Sequence, residues 1–316
     1  MVYHIIVNPA GASGRTGKIW TRIERVFRES GKEYEVHYSA PDHGIEAICR
    51  ELGAAQPARN DSSGQEKLIL ITVGGDGSVN EAMNGIPDPS RVLYGHIPAG
   101  SGNDLVRDMD LPKEPEDVAR RILDGRVRRC FDVGELEYAD TGEKRRFAVS
   151  CGIGFDAGIC EMAGRSRYKD MLNKIGLGQL IYIVSAFRIV SGQVSDAVEI
   201  VLDGEQTVHY DHLLLLACMN HRFEGGGFQF APDAACDDGV LNLCVADPVH
   251  NSAFYKIFPF APSGRHLRFK EVHMLSGRTI EVTTKVPLWV HTDGEVARKA
   301  THIRIRTLPQ QLAVLE

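Results

Sequence analysis

The chain has 316 residues, of which 43% are hydrophobic and 25% charged, and its formal net charge is −6 at pH 7. That length admits two domains or one large one, the composition is that of a soluble globular protein, and the negative balance argues against general nucleic-acid binding. Its seven cysteines, Cys49, Cys130, Cys151, Cys160, Cys218, Cys236 and Cys244, are scattered without a CxxC pair. That argues against a disulfide framework or a zinc site and fits reduced thiols in a cytoplasmic protein.

Taken in chain order, "MVYHIIVNPAG" opens as a strand and lacks the basic and long apolar regions of a secretory leader. Residues 15–30 follow with Ile19, Ile23, Val26 and Phe27 at helical spacing, then the strand "YEVHY", a short helix over 44–52 and the buried strand "LILITV". A helix from about Ser78, the strand "VLYGHI" and helices over 101–109 and 115–123 complete an alternating pattern. Strands alternating with helices predict a doubly wound parallel sheet over 1–126, and apolar runs without alternation fit strands covered on both faces. From residue 127 the texture changes to short strands separated by Gly, Asp and Asn turns, including "FDVGELEYA", "HYDHLLLLACM" and "GVLNLCVADP". This predicts a mostly antiparallel β-sandwich over 127–300, with helices only over 161–190 and 252–260. The tail 301–316 is expected to return to the first domain. No run of about 18 apolar residues spans a bilayer; the longest, "IYIVSAFRIV", carries Arg188.

Three glycine-containing loops fall at the carboxyl edge of the predicted sheet, where ligands of doubly wound folds bind: "NPAGASGRTG", "GGDGSVNE" and "IPAGSGNDLVR". Glycines let backbone approach phosphate, and helix N-termini supply N–H donors. The spacing of Gly11 from Gly17-Lys18 is one residue too long for a Walker A loop, and "GGDGSVN" lacks the third glycine of a dinucleotide fingerprint.

The motifs "NPAGASG", "GGDGSVNEAMNG" and "IPAGSGND", followed by "FDVGEL", "MNHRFEGGGFQFAPDAACDDGVLNL" and "HTDGE", resemble the diacylglycerol kinase catalytic-domain family of lipid kinases, which includes bacterial diacylglycerol kinases and the sphingosine and ceramide kinases. The family has Thr where this chain has Ser78 and Ser101, and both substitutions keep a hydroxyl. The resemblance implies ATP-dependent, Mg²⁺-assisted phosphorylation of a lipid hydroxyl in a cleft between two domains. It implies nucleotide contacts from Asn8, Pro9, Ser13, Gly14, Ser39, Gly74, Gly75, Asp76, Gly77, Ser78, Asn80, Glu81 and Ser101.

Phosphoryl transfer needs positioned phosphates, a charge-neutralising metal and an orienter or base for the attacking hydroxyl. A bare carboxylate in a phosphate cradle would repel the ligand, so Asp76 is expected to bind Mg²⁺, with Asp104 and Asp132 completing an acidic network; local capping or a turn is the alternative for those two. By resemblance, either Asp293 or Glu295 is the base, on a turn that by sequence alone reads as an ordinary Asp-Gly hairpin. By resemblance too, Asp238 with the carbonyls of Ala235 and Val240 would hold a second, structural Mg²⁺; an acidic turn without metal is the alternative. His221 is expected at the surface or in a hinge. Basic residues over 165–188, with "SGRHLRFK", point to peripheral contact with an anionic membrane, or to a helix packed by its apolar face.

Diacylglycerol is the default acceptor; a sphingoid base, ceramide or phosphatidylglycerol shares the scaffold. An NAD kinase-like enzyme and a non-catalytic nucleotide-binding regulator are the rival readings. The sequence admits a homodimer, although no segment marks its interface.

Overall fold

The structure, a computed structural model, describes residues 1–56, 67–109, 111–154, 196–250 and 252–316. Its first part alternates β1 (Tyr3–Val7), α1 (Gly11–Glu29), β2 (Tyr34–Tyr38), α2 (Ile45–Ala54), β3 (Leu68–Gly74), α3 (Asp76–Gly85), β4 (Val92–Pro98) and α4 (Pro115–Leu123). The strands pair in parallel in the order β4-β3-β1-β2, and Ala313 and Val314 near the C-terminus add to β4, also in parallel. β3 lies in the middle, with six of its seven residues buried, which is why its sequence is an unbroken apolar run. Tyr3, Ile5, Val7, Ile71 and Val73 pack on Ile19, Ile23 and Phe27 of α1 and on Val118 and Ile122 of α4. Each such fully buried side chain contributes about 1.5–3 kcal/mol. α4 begins with Pro115, carries Glu116 and Asp117 in its first turn and Arg120 and Arg121 in its last, charges that complement the helix dipole.

The predicted helix over 101–109 does not form. Asn103 takes a left-handed φ of 54°, and only a 3-10 turn, Leu105–Asp108, follows.

The second part runs through β5 (Val127–Tyr138), β6 (Lys144–Phe147), β7 (Ser150–Gly154), β8 (Asp196–Leu202), β9 (Gln206–Leu213), β10 (Leu215–Met219), β11 (Leu241–Ala246), α5 (Ala253–Ile257), β12 (Val272–Gly277), β13 (Thr279–Thr292) and β14 (Glu295–Leu315). Antiparallel pairing links β12-β11-β10-β7-β13-β14. β13 pairs with β8 through Ile280–Thr284 and with β7 through Val290–Thr292, and its register against β14 shifts between Thr283 and Leu288. A strand shared in this way folds the sheet over a core that includes Phe147, Ile153, Ile200, Leu216, Leu243 and Ile303. This is a mostly antiparallel, sandwich-like β domain.

Two compact units result: Met1–Phe131 with Gln310–Glu316, and Asp132–Pro309. Their borders lie five residues after, and nine residues beyond, those drawn from sequence at 126 and 301, because both fall inside strands β5 and β14, where composition does not change. The helix expected over 161–190, its basic stretch and most of the polar loop 56–67 lie outside the described residues. The helix expected over 252–260 is α5 followed by a 3-10 turn, Phe258–Ser263.

Candidate active site

In the first unit, three loops at the carboxyl edge of the parallel sheet are stitched together by backbone. Asn8 N–H reaches the Val73 carbonyl at 3.4 Å, and Ser39 N–H, after β2, reaches that of Val7 at 3.0 Å. Beyond Pro9, Ala12, Ser13 and Gly14 form a left-handed turn with φ of 47°, 57° and 86°, after which α1 runs regularly. Left-handed backbone costs about 1–2 kcal/mol for each non-glycine residue, so this turn holds strain of the kind concentrated at ligand sites.

Gly75 and Gly100 bring the second and third loops into contact. A methyl group on Gly100 would lie 2.5 Å from the Gly75 Cα, so no side chain fits there. The Gly74 carbonyl accepts the N–H groups of Ala99 (2.7 Å) and Gly100 (3.2 Å). Asp76, in the first turn of α3, closes the junction: its Oδ2 accepts from Asn103 N–H at 2.8 Å and its Oδ1 from Asp104 N–H at 2.7 Å. Asn103 in turn exchanges hydrogen bonds with the Gly100 backbone. The Asp104 carboxylate, buried, takes Arg107 Nε at 3.0 Å. Ser78 and Asn80 are buried on α3, while Ser101 is exposed on the arch. Glu81, expected at the nucleotide, has a structural duty: its carboxylate accepts Ile45 N–H at 2.8 Å and caps α2.

The second unit carries the remaining acids. Asp293 (φ 49°) and Gly294 (φ 82°) form the two-residue turn between β13 and β14, the left-handed pair a tight hairpin requires. The Asp293 side chain is buried and accepts three backbone N–H groups, from Ala148 (3.0 Å), Val149 (2.8 Å) and Ser150 (3.1 Å). Glu295, two residues on, is exposed. The turn is also braced from behind. Gly294 N–H donates to His291 Nδ1 at 3.0 Å, which fixes the ring proton on Nε2, and Nε2 faces buried Glu224 at 3.2 Å.

Asp132 is buried and ties down the acidic turn: Oδ2 accepts Gly239 N–H at 2.6 Å, and its own N–H donates to the Cys236 carbonyl at 2.6 Å. Asp76 and Asp104 meet where the second and third loops join, and Asp132, in the second unit, holds the turn that contains Asp238. Asp238 is exposed, and its Oδ1 accepts Val240 N–H at 2.9 Å, an Asx turn. His221, expected at the surface or in a hinge, is fully buried.

Against known proteins, residues 2–136 match the profile of the Diacylglycerol kinase catalytic domain, and residues 149–316 match the YegS C-terminal NAD kinase beta sandwich-like domain. The chain belongs to the diacylglycerol kinase catalytic-domain family. It is a phosphotransferase of the lipid kinase type. Relatives include the diacylglycerol kinase of Mycobacterium tuberculosis (strain CDC 1551 / Oshkosh), 29% identical over 84% of this chain and 81% of that one. The diacylglycerol kinase of Bacillus subtilis (strain 168) is 25% identical over 92% of this chain and 88% of its own. Among solved structures, a diacylglycerol kinase from Bacillus anthracis str. Sterne superposes with a TM-score of 0.66 at 19% identity, covering 99% of this chain and 96% of that one, a likeness of fold.

Within this kinase, sequence reasoning missed Asn103, Glu224 and His291 as site-building residues. Their signal lay in the motifs themselves, since each lies inside a quoted stretch ("GSGND", "RFEGGG", "HTDGE").

The second unit also holds a small apolar pocket of about 40 Å³, lined by Leu214, Phe230, Phe254, Ile257, Phe258 and Val272 among others. Beside it Tyr255 and Phe260 are exposed, as are Lys256, Arg265, Arg268 and Lys270. Among the described residues no helix is long and apolar enough to cross a membrane.

Proposed function

We propose that this kinase transfers the γ-phosphoryl group of ATP to the hydroxyl of a lipid alcohol, with diacylglycerol as first acceptor and phosphatidic acid as product. The observation that carries the reading is the Asp76 clamp. A single carboxylate holds the N–H groups of Asn103 and Asp104, fixing the third glycine loop against the second at the sheet edge where phosphates bind. The strained turn at Ala12 to Gly14 and the N-terminus of α3 supply backbone N–H groups for the triphosphate. Asn8, Ser39, Ser78, Asn80 and Ser101 would line the same nucleotide, while Glu81 serves by seating α2.

Mg²⁺ fits this donor set. Asp76 and Asp104 both approach the same glycine, Gly102, at which a side chain would run into Asp76 Oδ2 and come within 3.6 Å of Asp104 Oδ2. Two hard oxygen donors brought together by two adjoining loops suit a cation that keeps most of its waters. Bound there, it would neutralise phosphate charge. At the second turn, Asp238 retains one carboxylate oxygen beyond its Asx bond, and with the carbonyls of Ala235 and Val240 it would hold the structural ion.

For proton transfer, the contrast between neighbours favours Glu295. Asp293 spends its oxygens on three backbone N–H groups and serves to hold the turn, whereas Glu295 is exposed and available to accept the proton of the lipid hydroxyl. The exposed Tyr255 and Phe260 among basic side chains suit peripheral contact with an anionic membrane from the cytoplasm. Another lipid alcohol, such as a sphingoid base, ceramide or phosphatidylglycerol, is the second reading.

The test is transfer of labelled γ-phosphate from ATP to a panel of these lipids in mixed micelles, with NAD as the soluble control. Labelling of one lipid alone identifies the acceptor. Labelling of NAD and no lipid overturns the proposal.

A further inference from the structure

The outer flank of the parallel sheet carries a cluster that none of the kinase chemistry described above uses. β2 is the outermost strand and runs parallel to β1, with His4 in register with Glu35 and Ile6 with His37. Residues two apart on a strand share a face, so Glu35 and His37 project on one side, and the parallel register sets His4 beside them. The three ligand-type atoms converge. His4 Nδ1 lies 3.2 Å from His37 Nε2 and 3.4 Å from Glu35 Oε2, and His37 Nε2 lies 3.9 Å from the same carboxylate oxygen.

We propose that His4, Glu35 and His37 form a binding site for a divalent transition metal of the zinc class, with a fourth position left to water. Ligand atoms about 2.0–2.1 Å from a tetrahedral zinc stand about 3.3 Å from one another, close to the three separations here. Two imidazoles and a carboxylate are also a ligand set that such ions take. An N–H···N bond between the two rings would account for the shortest distance alone; it would not bring the carboxylate to both rings. The imidazole side chains are mostly covered, at 16% and 26% exposure, while Glu35 is 60% exposed, which gives the ion an entry side. This is the one such convergence of three His, Cys, Asp or Glu ligand atoms among the described residues. The lack of CxxC pairs does not bear on it, because no cysteine takes part.

The experiment uses the full chain after dialysis against EDTA, titrated with Zn²⁺ in a calorimeter and followed in parallel by thermal unfolding. The wild type should bind one equivalent and unfold several degrees higher with Zn²⁺, with no response at this site to Mg²⁺. His37→Gln should weaken zinc binding at least 30-fold and lose the thermal gain. Glu35→Gln, at an exposed position that leaves the fold alone, should weaken binding about tenfold. Zinc binding that is undetectable in the wild type, or that survives both substitutions unchanged as ligation by cysteines would, overturns the proposal. Neither substitution touches a phosphate loop, so Mg²⁺-dependent turnover should stay at the wild-type level.

Discussion

Replacing Asp293 by Asn tests whether this residue is a piece of the turn or the proton acceptor. The carboxylate accepts three backbone N–H groups in a buried setting. An amide keeps one oxygen, which can stay over Val149 and Ser150, but its NH₂ then faces the Ala148 N–H, donor against donor. One charge-assisted bond is lost and two drop to neutral strength, which at about 1.5–3 kcal/mol for a charged bond and about 1 kcal/mol for a neutral one sums to about 2.5–7 kcal/mol. The backbone adds nothing, because Asn accepts the left-handed φ of 49° as readily as Asp. Urea unfolding, read by probes in the second unit, should therefore show Asp293→Asn markedly less stable than wild type. Glu295→Gln, at an exposed position, should stay within about 0.5 kcal/mol. If Asp293→Asn unfolds with the wild-type midpoint, the clamp is not structural and the reasoning fails.

The same pair of variants separates chemistry from folding. Glu295→Gln should lower kcat for lipid phosphorylation by about 10²–10⁴ with little change in the KM for ATP, and full activity would remove Glu295 from the base role. Gly100→Ala forces a methyl group to within 2.5 Å of the Gly75 Cα, so the loops must part; ATP affinity should fall at least tenfold by calorimetry while lipid binding is kept. Asp76→Ala frees two N–H groups of the third loop and should speed hydrogen exchange at Asn103 and Asp104, a change that nucleotide-free protein already displays. Buried His96, whose Nδ1 meets Thr72 at 2.8 Å, has its pKa pushed down to about 4 by desolvation. The unfolded chain then binds the extra proton, so stability is complete above about pH 6.5 and declines by about 3 kcal/mol as the pH falls to 4. His96→Gln should flatten that slope in urea midpoints measured from pH 7 to 4.5.

Much of this architecture was legible because period and punctuation carried it. The run Leu68 to Val73 reads as a doubly covered strand, and the Pro115 start of α4 reads as a helix N-terminus. What escaped the sequence depends on partners far along the chain. Nothing about Ala12 or Ser13 announces a left-handed φ, since both side chains prefer the right-handed region. Glu81 lies in the nucleotide motif, but its partner is Ile45 N–H, 36 residues earlier. Residues 101–109 carry a helical pattern that the Asp76 clamp and the left-handed Asn103 override. The partner of the Asp132 carboxylate is Gly239 N–H, 107 residues along the chain, which no local pattern announces. His4 and His37 are 33 residues apart and meet only through the β1–β2 register.

The contact between Gly75 and Gly100, with Asp76 spanning it, makes the second and third loops one mechanical part rather than two. Damage to either side then spends the same resource. A Gly75→Ala, Gly100→Ala double variant should bind ATP hardly worse than the more affected single one, the non-additivity of residues that share a joint. Substitutions at Ser13 or Ser39, which touch neither glycine, should instead multiply with them. A selection for altered nucleotide preference would on this ground find its independent adjustments in the first loop and after β2, and would find the Gly75–Gly100 joint closed to it.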